Sequence, residues 1–273
     1  MQANRLWTPP SGPLGRLSLA AAARAASLEG ARADLRARAG DVAGAPSFAG
    51  ALRRPDVGVI AELKRRSPSK GTINAGLDAA RQAAAYERGG AAALSVLTEP
   101  SEFGGSLADL RDARQATTLP VLRKDFHVHP IQVLEARAAG ASAMLLIARA
   151  LAPDALRRMA GEAAALGVEV LVEVRSEAEL EEALSIDDAV IGVNSRDLET
   201  LVIDATVTRR LVAMIPPARI AVAESGVSTR GDVERAAAVG ADAVLVGSII
   251  SGADDPVAAV SALTGVARVP RGR

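Results

Sequence analysis

Short apolar runs recur along the chain from residue 57 onward, and a stretch with helical character follows each of them. The apolar runs are Val57–Leu63, Ala92–Leu97, Leu119–Leu122, Ala143–Ile147, Val168–Val174, Ala189–Val193, Arg219–Ala223 and Ala243–Val246. The helical stretches are Asp78–Arg88, Leu107–Thr117, Pro130–Ala139, Pro153–Leu166, Glu177–Leu184, Thr206–Met214, Thr229–Val239 and Pro256–Leu263. This alternation predicts eight βα units around a parallel sheet.

Several of the helical stretches begin with recognisable start signals. These are the capping-box spacings of Ser176 with Glu179 and of Thr229 with Asp232, and the prolines Pro130, Pro153 and Pro256, which suit a first helical position.

Eight βα units form either a doubly wound sheet or a closed barrel. The strands are short and nearly uniform, the alternation has no break midway, and no Gly-rich dinucleotide-binding fingerprint occurs. The 273 residues also suit the roughly 250 residues of a typical (β/α)8 barrel. We therefore predict an α/β fold, a (β/α)8 TIM barrel with an N-terminal helical extension.

The chain before the first βα unit is predicted to form that extension. Residues 1–15 are rich in proline and indicate a loose arm, whereas Leu17 to Ala39 is rich in helix formers and predicts one or two helices. Pro46 to Pro55 is interpreted as a short connection. We divide the chain into an N-terminal arm and extra helix over residues 1–45 and a catalytic barrel over residues 46–273.

Composition excludes several classes of function. The 32 basic residues balance the 32 acidic ones, which argues against a general nucleic-acid or anionic-membrane binder. The chain has no cysteine, so disulfides, thiolate metal sites and cysteine nucleophiles are excluded. The two histidines, His127 and His129, have no further histidine or cysteine to complete a metal site, so we assign them to loop or capping roles.

Membrane insertion and export are not expected from the sequence. No run of eighteen apolar residues occurs, and the apolar segment Leu17–Ala23 is bracketed too closely by Arg16 and Arg24 to be a signal peptide. A cytoplasmic location is expected.

Polar side chains stand at the ends of most predicted strands, where (β/α)8 barrels carry their catalytic residues. Leu119–Phe126 is the clearest case, because Leu122, Lys124 and Phe126 share one face of the strand and Arg123 and Asp125 share the other. The other end residues are Glu62, Lys64, Glu173, Asn194, Ser195, Arg196, Glu224, Ser225 and Ser248. Any one of them could belong to a structural ion pair, but together they indicate an acid and a base held side by side.

The loops after strands seven and eight are the usual phosphate-binding loops of such barrels. Here they contain Ser225-Gly226-Val227-Ser228 and Gly247-Ser248, and glycines of this kind allow an anion to approach backbone N–H groups. The same glycines are also ordinary turn residues. The loop after strand one, Arg65–Gly71, is basic and polar, and it either covers a phosphorylated substrate or is simply solvated.

These segments together resemble the indole-3-glycerol phosphate synthase family of tryptophan biosynthesis. The matching pieces are Ala61–Gly71, Ser95–Thr98, Phe103–Ser106, Leu122–Phe126, Leu171–Val174, Ile191–Leu198, Ala223–Gly226 and Leu245–Gly247. The resemblance implies a (β/α)8 barrel with an N-terminal helical extension. It also implies closure, decarboxylation and dehydration of 1-(2-carboxyphenylamino)-1-deoxyribulose 5-phosphate, giving indole-3-glycerol phosphate, carbon dioxide and water.

The resemblance also implies roles for individual residues and no cofactor or metal. Lys124 matches the acid for ring closure, Lys64 the acid for dehydration and Glu173 its base. The residues that match positions holding these groups or contacting the substrate are Glu62, Asn194, Arg196, Glu224 and Ser225. The residues that match the phosphate-binding positions are Ser67, Gly226, Gly247 and Ser248. The residues that match positions contacting the aromatic ring are Phe103, Phe126 and Leu145. The implied partner is a phosphorylated small molecule, with neither nucleic acid nor membrane. Oligomeric state and any association with neighbouring pathway enzymes are left open.

Two positions depart from the family pattern. The family usually shows an aspartate where His129 stands and an aromatic residue where Ile131 stands, and both positions bear on helix packing more than on chemistry. The alternative function is another phosphate-binding barrel, such as phosphoribosylanthranilate isomerase, but that family uses a cysteine that this chain lacks. A catalytically silent barrel would be expected to lack Lys124 or Glu173, and both are present.

Overall fold

Eight parallel strands close into a barrel in the computed structural model, which describes residues 8–272. The strands are β1 (Gly58–Leu63), β2 (Ala93–Leu97), β3 (Val121–Lys124), β4 (Ala143–Ile147), β5 (Glu169–Val174), β6 (Val190–Asn194), β7 (Ala221–Glu224) and β8 (Ala243–Val246). Each strand pairs with its neighbours in sequence, and β1 pairs with β8 to close the ring. The predicted (β/α)8 barrel is thus confirmed.

The helices of the described chain surround this barrel or precede it. They are α1 (Gly12–Ser27), α2 (Arg32–Asp41), α3 (Phe48–Leu52), α4 (Ala79–Arg88), α5 (Leu107–Gln115), α6 (Ile131–Ala138), α7 (Pro153–Ala165), α8 (Glu177–Leu184), α9 (Ala205–Val212), α10 (Arg230–Ala238), α11 (Ser248–Ser251) and α12 (Pro256–Ser261). Short 3₁₀ turns lie at Glu29–Ala31 and Ala148–Ala150, and the loop after β1 contains a small hairpin of Arg66–Ser67 with Gly71–Thr72.

The start signals of the helices are only partly confirmed. Thr229 and Asp232 form a full capping box at α10. Ser176 caps α8 through the N–H of Glu179, but the carboxylate of Glu179 accepts from Arg175 instead of closing the box. Pro153 and Pro256 begin their helices, whereas Pro130 precedes α6 as its N-cap residue.

Inward-facing side chains fill the barrel in layers, because alternate residues of each strand point to the axis and alternate strands contribute to the same level. From the N-terminal end upward, the layers are Ala93, Ala143, Val190 and Ala243; then Ile60, Leu122, Leu171 and Val222; then Ser95, Leu145, Gly192 and Leu245; and finally Glu62, Lys124, Glu173 and Glu224. The lower layers are almost entirely apolar, and the top one is entirely charged. This charged layer is therefore the floor of the barrel mouth.

The N-terminal helices pack against three different parts of the barrel. Helix α1 runs along the rim of the mouth, where the N–H of Leu14 donates to the carbonyl O of Leu198 (3.2 Å) and Arg24 pairs with Asp125. Helix α2 packs on α6. Helix α3 lies at the opposite end, held to the first residue of β5 by the N–H of Ala49 and the carboxylate of Glu169 (2.6 Å).

Strands β3, β6 and β7 extend past their apolar runs to Lys124, Asn194 and Glu224, the polar end residues selected from the sequence, because these residues still pair with the backbone of a neighbouring strand. The predicted boundaries in the N-terminal part were wrong. Helix α1 begins at Gly12, inside the predicted loose arm, and α3 occupies the predicted connection Pro46–Pro55. The part of the arm over residues 1–7 lies outside the described residues.

Candidate active site

The charged layer at the top of the barrel is built around the ammonium group of Lys124. Its Nζ atom lies 2.8 Å from Oε2 of Glu224 and 3.5 Å from Oε2 of Glu173. All three side chains are largely buried, at 16%, 1% and 5% exposure respectively. An unpaired ammonium in this position would cost several kcal/mol, so the carboxylates are what permits its burial.

The electrostatics of this layer favour a protonated Lys124. Burial alone lowers its pKa, but the carboxylates of Glu224, Glu173 and Glu62 outweigh burial and raise the pKa above its ordinary value. Burial raises the pKa of Glu224 to about 7, and the attraction of Lys124 opposes that rise while Glu173 adds to it. Lys124 thus stays protonated, while Glu224 exchanges its proton close to neutral pH.

A second ammonium group, that of Lys64, also lines the cavity at the barrel mouth. The Nζ atom of Lys64 is 2.6 Å from Oε1 of Glu62, and Ser95 donates to the other oxygen of that carboxylate (3.4 Å). Burial raises the pKa of Glu62, but Lys64 and Lys124 outweigh it, so the pKa lies below its ordinary value. A Cβ atom at Gly247 would lie only 2.5 Å from Oε1 of Glu62, which explains why glycine follows β8.

The ends of β6 and β7 are joined by a side-chain amide. Oδ1 of Asn194 accepts from the hydroxyl of Ser225 (2.8 Å) and from the backbone N–H of Arg196 (2.9 Å). Ser225 has a φ of +64°, a strained conformation for a residue with a side chain, and Gly226 follows with +78°. These bonds fix the loop after β7 and leave the NH₂ group of Asn194 available to a ligand.

Two phenylalanines form an aromatic wall on the β2 and β3 side. The rings of Phe103 and Phe126 have centroids 6.4 Å apart and are tilted by 37°. Leu145 of β4 completes the apolar surface. This wall is suited to bind a flat aromatic group.

All residues to which the family resemblance assigns a role line one cavity of about 300 Å³ at the barrel mouth, whereas the strand-end residue Ser195 is buried beneath it and donates to the backbone of Glu224 and Ser225. The residues with an assigned role are Glu62, Lys64, Ser67, Phe103, Lys124, Phe126, Leu145, Glu173, Asn194, Arg196, Glu224, Ser225, Gly226, Gly247 and Ser248. The loops after β1, β7 and β8 form one side of it, and the aromatic wall forms another. The cavity therefore combines an apolar surface, a charged floor and glycine-rich loops.

Sequence reasoning missed the residues that hold the aromatic wall in place. The buried carboxylate of Glu99 accepts the backbone N–H groups of Glu102 (2.8 Å) and Phe103 (3.2 Å), and Asp125 accepts the N–H of Phe126 (2.8 Å). Both carboxylates face Arg24 of α1, at 3.7 Å and 2.8 Å. The polar position of Asp125 after β3 was visible in the sequence, but nothing there indicated its partner 101 residues upstream.

The two histidines lie in the loop after β3, as predicted. Nδ1 of the buried His127 donates to the carbonyl O of Leu145 (2.7 Å), and burial together with Arg123 lowers the pKa of this imidazole to about 3. Nδ1 of His129 accepts from the N–H of Ile131 at the start of α6 (3.3 Å). Within residues 8–272, no three His, Cys, Asp or Glu side chains are grouped as a metal site would need.

The two departures from the family pattern meet the N-terminal helices. Ile131 is fully buried in a cluster with Ala25, Leu35, Ala39 and Leu134. His129 lies 3.6 Å from Oε1 of Glu29, in the turn between α1 and α2. Both positions thus belong to the packing of the extension and not to the cavity.

Across the described part of the chain, no helix has the length and hydropathy needed to span a bilayer.

Comparison with known proteins shows the family to which the sequence is related. A family model described as indole-3-glycerol phosphate synthase matches residues 16–263. The indole-3-glycerol phosphate synthase of Opitutus terrae is 50% identical over 223 residues, covering 79% of this chain and 84% of that protein. That of a Nocardioides species is 49% identical over 251 residues, covering 92% and 95%.

A solved structure of thiamine phosphate pyrophosphorylase from Pyrococcus furiosus shares the fold, with a TM-score of 0.57 and 18% identity over 76% of this chain and 93% of that one. The sequence matches favour a different family from the sugar-phosphate isomerase considered as the alternative. The chain belongs to the indole-3-glycerol phosphate synthase family, the carboxy-lyases of tryptophan biosynthesis.

Proposed function

We propose that this chain converts 1-(2-carboxyphenylamino)-1-deoxyribulose 5-phosphate into indole-3-glycerol phosphate, carbon dioxide and water in the cavity at the barrel mouth. The observation that carries the proposal is the position of the Lys124 ammonium between Glu173 and Glu224, above an apolar core and beside an aromatic wall. A protonated acid, Lys124, and a carboxylate base, Glu173, therefore lie in one small cavity, as an acid–base reaction requires.

Substrate binding would use the two unlike sides of the cavity. Gly226, Gly247, Ser67 and Ser248 line the side suited to the phosphate, and their backbone N–H groups and hydroxyls would be its donors. The aryl ring would lie against the wall of Phe103, Phe126 and Leu145. Arg196, Asn194 and Ser225 line the cavity between these ends and would orient the chain of the sugar.

Ring closure requires an acid at the ketone oxygen while an aromatic carbon attacks the ketone carbon. Lys124 is suited to this role, since its carboxylate neighbours keep it protonated. Proton transfer as the C–C bond forms avoids an alkoxide in a site of low dielectric constant. The attacking ring is left as an iminium, and the electrons of the bond to the carboxylate return to it as CO₂ departs, so this loss needs no cofactor.

Dehydration then requires an acid at the hydroxyl and a base at the new five-membered ring. Lys64, held at 2.6 Å by Glu62, would protonate the hydroxyl as it leaves as water. Glu173 would remove the ring proton. The carboxylate of Glu173 lies 3.5 Å from Lys124, which has already lost its proton in ring closure. Glu173 can therefore pass the ring proton to Lys124, and both groups return to their starting protonation states. Solvent restores Lys64, so that one proton is consumed per turnover.

The direct test is to mix the purified protein with the carboxyphenylamino sugar phosphate and follow the fluorescence of the indole product. We expect product formation that saturates with substrate, together with release of one equivalent of CO₂. If the substrate is bound and recovered unchanged, the proposed reaction is wrong.

Three further expectations belong to the same proposal. The binding partner would be the phosphorylated small molecule, the protein would be cytoplasmic, and residues 1–45 would act as an accessory arm and helix to a catalytic barrel over residues 46–273. Cell fractionation tests the location, and separate expression of residues 46–273 tests the division.

A further inference from the structure

The cations that line the cavity differ in how they are compensated. These cations are Lys64, Lys70, Lys124 and Arg196. Lys64 and Lys124 form close ion pairs with Glu62 and Glu224, and Nη1 of Arg196 donates to the carbonyl O of Leu201 (3.0 Å). Within residues 8–272 the ammonium of Lys70 has neither a carboxylate within 4.0 Å nor a hydrogen-bond acceptor. Its charge is thus available to a ligand.

Lys70 also stands on the side of the cavity that the phosphate would occupy. The backbone N–H of Lys70 donates to the carbonyl O (3.3 Å) and the hydroxyl (3.2 Å) of Ser67, within the hairpin after β1. The same loop is held to the segment after β8 by two bonds to Ser251, from the N–H of Lys64 (3.1 Å) and from the side chain of Asn74 (3.0 Å). Since β1 adjoins β8 and β8 adjoins β7, the loop shares one arc of the rim with the loops that hold Gly226 and Gly247.

Without Lys70, a phosphate dianion on that arc would meet neutral donors and the ammonium of Lys64, which lies beside Gly247 but is already paired with Glu62. Ser67, Gly226, Gly247 and Ser248 supply hydroxyl and N–H groups, and Lys64 and Lys124 are engaged by the carboxylates of the floor. Hydrogen bonds between charged groups are about twice as strong as neutral ones. A dianion in a partly enclosed site is therefore expected to require a cation.

We propose that Lys70 pairs with the 5′-phosphate of the substrate and makes the cavity selective for phosphorylated over unphosphorylated ligands. This inference rests on the proposed function. Lys70 has no part in the proton transfers.

The first test compares the steady-state kinetics of Lys70→Met, Lys70→Arg and Arg66→Met with those of the unaltered protein. Arg66 is the matched control, because it is an exposed cation of the same hairpin whose side chain does not line the cavity. Because Lys70→Met loses a pairing between two charged groups, we expect KM to rise about 10- to 100-fold. We expect kcat to change less than about threefold. Lys70→Arg should keep most of the affinity, and Arg66→Met should match the unaltered protein.

Salt dependence separates a charge effect from a change in loop shape. The KM of the unaltered protein should rise between low ionic strength and 0.5 M salt, and that of Lys70→Met should rise much less, because salt screens the pairing. An equal salt dependence of the two proteins, or a fall in kcat without a change in KM, would contradict the proposal.

Direct binding keeps the test independent of turnover. Calorimetry should show that Lys70→Met weakens binding of indole-3-glycerol phosphate and raises the dissociation constant of inorganic phosphate, while binding of unphosphorylated indole-3-glycerol is unchanged. Equal weakening of both indole ligands would overturn the role of Lys70. If the unaltered protein binds these ligands but forms no product, the proposed function fails while the role of Lys70 is still decided by the binding data.

Discussion

Lys124 and Glu224 form an ion pair, 2.8 Å between Nζ and Oε2, although they belong to strands that face each other across the barrel. Strands β3 and β7 are separated by three strands in either direction around the ring. The pair therefore crosses the axis and lies on top of the apolar layers below it. Glu62 and Glu173 come from the other two odd-numbered strands, so the candidate catalytic groups take the place of one more core layer.

Replacing Lys124 by alanine is expected to lower kcat at least 10²-fold, because the acid for ring closure is removed. That change corresponds to about 3 kcal/mol of barrier. Stopped-flow fluorescence of the indole product would measure it. Loss of the ammonium also leaves Glu173 and Glu224 uncompensated, so binding of the product by the variant has to be measured as a check on folding. A folded variant with near-normal turnover would remove Lys124 from the acid role.

Replacing Glu173 by glutamine should separate chemistry from binding. The amide keeps the shape of the side chain and cannot accept the ring proton, so kcat should fall at least 10²-fold while KM changes little. Lys124 keeps Glu224 as its partner in this variant. A rise in KM at unchanged kcat would instead assign Glu173 to substrate binding alone.

The sequence was sufficient for the residues of the floor but not for their pairing. Glu62, Lys124, Glu173 and Glu224 could be found because each stands where an apolar strand ends. Which carboxylate lies closest to Lys124 could not be found, because the nearest one belongs to the strand on the far side of the ring, 100 residues away. Helix α3 was missed for a related reason, since its five residues are stabilised by burial against the end of the barrel and by Glu169.

Replacing Gly247 by alanine tests whether the glycine after β8 makes room for the Glu62–Lys64 pair. The added Cβ would lie 2.5 Å from Oε1 of Glu62, so the pair has to move, and we expect kcat/KM to fall at least tenfold. Gly76→Ala is the matched control, because a Cβ there meets no atom within 4 Å. Unchanged kinetics for Gly247→Ala would show that the pair can move without consequence.

The raised pKa of Glu224 predicts a pH dependence above neutrality. Its pKa of about 7 lies above the ordinary 4.5, so the carboxyl loses its proton as the pH rises through 7. The anion then holds the ammonium of Lys124 more tightly and makes it a weaker acid, so kcat of the unaltered protein should decline above pH 7. Glutamine at this position does not titrate, so Glu224→Gln should lose the decline in that window. The same decline in both proteins would assign it to another group.

Ile131 joins the N-terminal extension to the barrel. Its side chain is fully buried among Ala25 and Leu35 of the extension and Leu134 of α6. Ile131→Ala should therefore lower the free energy of unfolding by about 2–5 kcal/mol, the usual cost of such a cavity. Urea titrations followed by circular dichroism would measure the loss. Leu19→Ala in α1 is the control, because Leu19 is 74% exposed and its removal should cost little. Equal stability of the two variants would mean that the extension contributes nothing to the fold through Ile131.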